Sequence, residues 1–238
     1  MKKIIAFLLW TTIAWASDPR EALTAKAKTI RSLCADTAQT LQTMGQGVTL
    51  TGRMWFKAPN RMRVEMTLSM GETTITTLSV SDGKKLYTYQ DMTDSVQTVD
   101  LDRVKADPGA YAADTLDPSD PFKGYDPAGI RHLGEESVEG TPCDLFEARL
   151  QKPVQAAGIL EANRARIWFG RADAVPRRLI LLDKDGKEVL RQTYTNVQVN
   201  PALSDNLFVF TPPAGAHVTD GTESILDLME GKKAPDSE

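Results

Sequence analysis

Apolar and polar residues alternate over two consecutive runs, 48–57 and 61–70, which are separated by Ala58-Pro59-Asn60. Successive side chains on a strand point to opposite faces. Val48, Leu50, Met54 and Phe56 therefore share one face of the first run, and Met62, Val64, Met66, Leu68 and Met70 share one face of the second. The pattern predicts a β-hairpin with one apolar face. Much of that face is methionine, an unbranched, polarizable side chain suited to a surface that must fit more than one apolar shape. The pattern alone leaves two uses open: an ordinary core against a helix, or a cavity for an apolar ligand.

Upstream, Asp18-Pro19-Arg20-Glu21 reads as a helix start, with Asp18 as cap and Pro19 in the first helical position, followed by Ala22, Leu23, Ala25, Ala27 and Ile30. A strand is expected over 33–44 and a turn over 45–47. Downstream, strands are expected over 73–80, 85–89 and 95–101, divided by Ser81-Asp82-Gly83 and by 91–94. Strand follows strand at short gaps, which predicts an antiparallel meander rather than βαβ units. Over 102–130 the alternation stops and proline and glycine crowd in. The apolar residues there, Tyr111, Leu116, Phe122 and Tyr125, favour a packed lid over disorder. Strands resume over 131–138, 143–150, 164–169, 176–183 and 188–199, and a last one is expected over 206–210 before Pro212-Pro213. Ile225, Leu226, Leu228 and Met229 mark a short helix, and the polar end 231–238 is expected to be disordered.

The N-terminus sets the expected compartment. Lys2 and Lys3 precede an apolar stretch over 4–13, and Ala14-Trp15-Ala16 supplies the small-x-small site of a cleavable signal peptide, residues 1–16, cut after Ala16. That stretch is too short to span a bilayer comfortably, so the mature chain from Ser17 is expected to be secreted and soluble. A length of 238 residues with a formal charge of -4 suits one domain, and a monomer is expected. The acidic balance offers no basic footprint for nucleic acid or for an anionic membrane surface. In an oxidising compartment Cys34 and Cys143 leave two readings open: a disulfide closing a long loop, or two buried thiols.

Catalytic hardware is sparse. The chain has two histidines, His132 and His217, far apart, and lacks the HExxH, GxSxG, P-loop and GxGxxG patterns. Asp183-Lys184-Asp185-Gly186 reads as a hairpin turn, because the twelfth position of a calcium loop begun at Asp183 would fall on Tyr194 instead of glutamate. Glu135 and Glu136 are strand neighbours pointing to opposite faces, which excludes a glycosidase pair. No enzyme activity, metal or cofactor is expected.

Three segments carry a family resemblance. Gly52-Arg53-Met54-Trp55-Phe56-Lys57-Ala58-Pro59-Asn60-Arg61-Met62-Arg63, Val80-Ser81-Asp82-Gly83-Lys84-Lys85-Leu86-Tyr87-Thr88-Tyr89 and Leu207-Phe208-Val209-Phe210-Thr211-Pro212-Pro213-Ala214-Gly215 resemble, in the same order, motifs of the LolA family of periplasmic outer-membrane lipoprotein carriers. The resemblance implies a mainly β (α+β) fold: an open, incomplete antiparallel β-barrel whose N-terminal helix and helical or irregular lid cover a concave apolar face. The lipid-binding domain would span 17–222, and 223–238 would form a short helical and disordered tail. The implied cavity is lined by Leu50, Met54, Phe56, Met62, Val64, Met66, Leu68, Phe146 and Phe169, and the lid carries Tyr111, Leu116 and Phe122. The implied partners are acylated lipoproteins, an inner-membrane ABC-type releasing complex and an outer-membrane acceptor. Ala58 departs from the arginine that many members place before Pro-Asn to tie lid to sheet. A second reading is a sensor module of the same shape that binds a lipidic or polypeptide signal.

Overall fold

The computed structural model describes residues 18–43, 46–104, 118–156 and 160–229. Residues 1–16, expected to form a signal peptide, Tyr111, Leu116 and the end at 231–238 lie outside the described residues. The chain opens with helix α1 (Pro19–Ala27). The Asp18 side chain accepts a hydrogen bond from the Arg20 N–H at 2.9 Å, and Pro19 costs no bond because the first helical N–H is free anyway.

Six strands follow: β1 (Ser32–Thr43), β2 (Gln46–Lys57), β3 (Arg61–Met70), β4 (Thr73–Ser81), β5 (Lys85–Gln90) and β6 (Ser95–Asp100). After the short helix α2 (Leu101–Val104) come β7 (Arg131–Val138), β8 (Thr141–Ala156), β9 (Leu160–Gly170), β10 (Pro176–Leu182) and β11 (Glu188–Val199). β12 (His217–Asp220) and α3 (Thr222–Met229) close the described chain.

All twelve strands form one sheet, in the order β12-β6-β5-β4-β3-β2-β1-β11-β10-β9-β8-β7. Two antiparallel meanders, β1 to β6 and β7 to β11, meet where β1 pairs with β11, from Leu33 opposite Val199 to Leu41 opposite Leu190. The sheet does not close, because β12 and β7 stand at opposite ends of the order. This is the mainly β, open and incomplete barrel that the resemblance implies.

The structure departs from the strand reading at two places. Asn206–Phe210 is not a strand. A 3-10 turn runs over Asp205–Phe208, started by the Ser204 hydroxyl, which accepts from the Asn206 N–H at 3.3 Å. The local cap competes with sheet pairing, and the chain reaches the sheet later as β12, which pairs parallel to β6. The hairpin of β8 and β9 is also longer than alternation suggests, because a bulge between Arg149 and Val154 shifts its register.

Candidate ligand-binding face

Residues directly opposite one another in adjacent strands share a face, so the pairing register carries the hairpin's apolar face across the sheet. Met54 stands opposite Val64, Leu50 opposite Leu68 and Phe56 opposite Met62. On one side this face continues through Leu33, Ala35, Thr37 and Gln39 of β1 and through Leu190, Gln192 and Tyr194 of β11 to Leu179, Ile167 and Phe146. On the other it continues through Ile75, Thr77 and Ser79 of β4 to Leu86 and Val99. We call it the front.

The α-helices α1, α2 and α3 pack their apolar sides on the front, whereas the 3-10 turn with the buried Phe208 lies against the back, beside Lys57, Arg61 and Arg63. At one end Leu23 and Ala27 of α1 join Phe122 and Tyr125 over Phe146, Ile167, Phe169, Leu179 and Leu181. Phe122 meets Phe146 and Phe169 edge-on, with ring centroids 5.2 and 5.6 Å away, and Arg20 lies 5.6 Å over its ring. The segment that carries Phe122 is tied to β8. The Asp126 N–H donates to the Arg149 carbonyl at 2.8 Å, the Gln151 N–H donates to the Gly124 carbonyl at 3.0 Å, and the Asp126 carboxylate pairs with Arg149. That guanidinium, with the Ala128 N–H, holds the Asp126 carboxyl below its ordinary range. At the other end α2 and α3 cover Leu86 and Val99 through Val104, Ile225 and Leu226.

Between these covers the front divides again. At the Pro59 end, Met54, Phe56 and Met62 are buried, Met54 and Phe56 together with Ile30, Leu33, Val175 and Tyr194. Farther along, Leu50, Val64, Met66, Leu68 and Ile75 are only partly buried, and Met70 is 55% exposed. Gly52 lies in the middle of this strip. A Cβ there would come within 1.8 Å of the Glu65 carbonyl oxygen and 2.9 Å of the Met66 sulfur, so the absent side chain lets β3 close in and Met66 lie over it.

The strip is bordered by uncharged polar side chains. On one flank the Gln192 amide donates to the Thr37 hydroxyl at 3.2 Å, and on the other the Ser79 and Thr88 hydroxyls lie 3.5 Å apart. Sequence reasoning missed this border and the contribution of Ile75. The only signal was the threonine-rich run of β4, which reads as strand without showing which neighbours it faces.

Of the cavity residues expected from sequence, Phe146 and Phe169 belong to the covered end, and Met54, Phe56 and Met62 to the buried part of the hairpin. Leu50, Val64, Met66 and Leu68 come together on the accessible strip. Phe122 is the described member of the lid. The Cys34–Cys143 disulfide does not form, and both thiols are free. Cys34 sits on β1 and Cys143 on β8, four positions apart in the sheet order, which is roughly 19 Å at the usual strand spacing, whereas a disulfide needs Cα atoms within about 7 Å. Cys34 instead lies on the back of the sheet, accepting from Arg53 Nε at 3.3 Å, and burial pushes the Cys143 thiol up.

The three motif segments converge on one end of the sheet, away from the strip. Asn60 Nδ2 donates to the Gly83 carbonyl at 2.8 Å, and the Ser81 hydroxyl donates to the Asn60 carbonyl at 3.3 Å. Gly83 has φ +97, a conformation that glycine adopts without cost. Asp205 receives Lys57 at 2.5 Å and Arg61 at 2.6 Å, and these cations hold its carboxyl below the ordinary range. The motifs build scaffold; the strip is held by residues outside them or at their edges.

The described chain is a single open sheet, antiparallel except at β12, with α1, α2 and α3 packed on one face and a partly exposed apolar strip between them. Residues 116–220 match the family model described as a predicted periplasmic protein, DUF2092. No curated protein matches the chain. Among solved structures, an uncharacterized conserved protein from Thermus thermophilus has the same fold, with 15% identity over 85% of this chain and 99% of its own, at a TM-score of 0.55. The Pseudomonas aeruginosa MucA/MucB complex is similar at 14% identity and a TM-score of 0.45, over 82% of this chain and 60% of that one. A LolA superfamily protein from Nitrosomonas europaea is similar at 12% identity and a TM-score of 0.38, over 80% of this chain and 97% of its own.

Proposed function

We propose that the protein is a periplasmic carrier that shields the acyl chains of lipoproteins on the front strip and delivers them toward the outer membrane. The observation that carries the reading is the strip itself: apolar side chains from Val64 to Met70 on β3 and Leu50 on β2 stay accessible while both neighbouring parts of the same face are packed. Six residue steps along β3 span about 20 Å, and one leaflet of a bilayer's hydrocarbon core is about 15 Å thick, so an extended acyl chain fits the strip. Burial at about 0.8 kcal/mol per CH₂ gives micromolar affinity with no catalytic group. The three LolA-like motifs and the periplasmic description of the matching family support the same reading.

Hand-over would need a releasing complex in the inner membrane and an acceptor in the outer one. The test is to purify the mature chain from a membrane-containing extract and analyse it by mass spectrometry. Co-purifying lipid or lipoprotein is the expected result; absence of both, with no binding of a fluorescent acyl probe, overturns it. A stable protein partner, with lipoproteins correctly placed after depletion, would put the sensor reading in its place.

A further inference from the structure

We propose that the back of β7 to β11 is a docking surface for an acidic polypeptide segment that lies extended across it and presents carboxylates at alternate positions. The pairing register gathers six guanidinium groups on this face: Arg131 on β7, Arg149 on β8, Arg164 and Arg166 on β9, Arg178 on β10 and Arg191 on β11. The chain as a whole has a formal charge of -4, so this excess runs against its balance. The carboxylates nearby are already engaged. Glu147 is shared by Arg131 and Arg166, Glu188 takes Arg191, Asp126 at the edge takes Arg149, and Glu136 accepts from Trp168 Nε1 at 2.8 Å. Arg164 and Arg178 pair with no carboxylate among the described residues.

The arginine stems also roof an apolar floor, since Leu145, Trp168, Ile180 and Leu182 are buried on this side of the sheet. Roofing alone would be served by long side chains of either sign. Instead Arg149 stands directly opposite Arg164, a like-charge pairing that costs stability in a sheet. Arg178 lies 5.5 Å over the Trp168 ring, and its Nε is buried without an acceptor, so its charge is unanswered within the chain. A carboxylate from outside answers both, and guanidinium groups take carboxylates in a strong, charge-assisted geometry. The spacing selects the kind of partner. Arg164 and Arg166 lie two residues apart on β9, about 7 Å, which is the repeat of alternate side chains on any extended chain. A peptide running along β9 meets both, whereas an anionic membrane attracts through diffuse charge, which the acidic chain as a whole opposes. The face is turned away from the strip, so a partner held here leaves Leu50, Met66 and Leu68 free, and the inference stands apart from the carrier reading.

The experiment titrates the full mature chain, at low ionic strength, against a short fluorescent peptide of alternating glutamate and serine and against its glutamine counterpart, with anisotropy as the readout. The acidic peptide should bind about tenfold more tightly than the glutamine peptide, or more. Arg164→Gln combined with Arg178→Gln should weaken it about tenfold, with the affinity for a neutral acyl probe unchanged. Arg164→Gln alone, at a partly exposed position, should give a smaller loss in the same direction and carries the test if the double variant does not fold. Lys84→Gln, which removes a positive charge from an exposed turn on the other half of the sheet, should change nothing. No binding of the acidic peptide, equal binding of both peptides, or equal losses from Lys84→Gln and Arg164→Gln overturns the inference. So does binding of phosphatidylglycerol vesicles in place of the peptide, lost with the same two arginines, which would make the face a membrane contact. Failure of the acyl probe with peptide binding intact strikes the carrier reading alone.

Discussion

Two regions of the front face, one at its β8 to β10 end and one in its middle, start from the same alternating pattern and finish differently. Over β8 to β10 the face is closed: Phe146 and Phe169 are sealed under α1 and Phe122, with Ala148, Ala162 and Ala165 wholly buried among them. Over β2 to β4 it is open: Leu50, Met66, Leu68 and Ile75 have no comparable cover among the described residues. Periodicity is equal in the two regions; side-chain volume is not. Alanines lower the floor so that a helix and an aromatic ring can reach it, and rigid phenylalanines fill what remains. The open region has Leu50, Met66 and Leu68 around a single glycine, side chains that adapt their shape more readily than a phenylalanine ring does.

Substitution separates the two regions. Phe146→Ala removes a ring that touches Phe122, Phe169 and His132 in the closed region, and should cost about 3–5 kcal/mol, read as a lowered denaturation midpoint. Acyl binding per folded molecule should be unchanged. Met66→Glu reverses the signature: the side chain is partly exposed, so stability should move by less than about 1 kcal/mol, while acyl-probe affinity should fall by more than about tenfold. A Met66→Glu protein that fails to fold would show that the strip is core, and the contrast between the regions would collapse.

The back of the closed region offers a smaller effect. Glu147 is buried, and Arg166 Nε donates to it at 3.0 Å while Arg131 pairs with its other oxygen. Burial pushes its carboxyl up, but the two guanidinium groups together outweigh burial and hold it below its ordinary 4.5. A depressed folded-state value means that the stabilisation is complete above the ordinary carboxylate range and disappears as pH falls through the folded-state value. Glu147→Gln should therefore cost about 1 kcal/mol at pH 7, the arginines being partly solvated, and the difference from the parent protein should shrink as pH falls below the ordinary carboxylate range and vanish once the folded carboxyl is protonated.

Alternation, which depends only on local side-chain order, made the hairpin and the meander legible in the sequence, and the Asp18-Pro19 cap made the helix start legible. It could not tell the closed region from the open one, because Phe146 and Met66 obey the same period and only the register and the covering helix separate them. The motif residues misled in a related way: Asn60 and Gly83 stand out because a turn and its stitch restrict residue type tightly, whereas a partly exposed apolar strip restricts it loosely. Asn206 to Phe210 looked like a strand because its apolar residues are needed elsewhere. Phe208 is buried, and Phe210 packs on Tyr87 at 5.5 Å between ring centroids.

The finest test asks whether the closed end is permanently closed. Asp126 has two duties: its carboxylate pairs with Arg149, and it caps the Pro127–Gly129 turn by accepting from the Ala128 N–H at 3.0 Å. Asparagine caps such a turn as well as aspartate does, so Asp126→Asn keeps the cap while removing the charge and both hydrogen bonds that Oδ2 accepts from Arg149. The backbone ties between this segment and β8 would survive, and the midpoint of unfolding should not move measurably. Hydrogen exchange at the backbone amides of position 126 and Gln151 should nevertheless quicken, because each local opening no longer breaks an ion pair. If exchange quickens and acyl-probe association speeds up with it, the Phe122 segment is a movable cover and the strip extends beneath it. If exchange quickens while association stays constant, the two regions are separate and the guest is confined to the strip between Val64 and Met70.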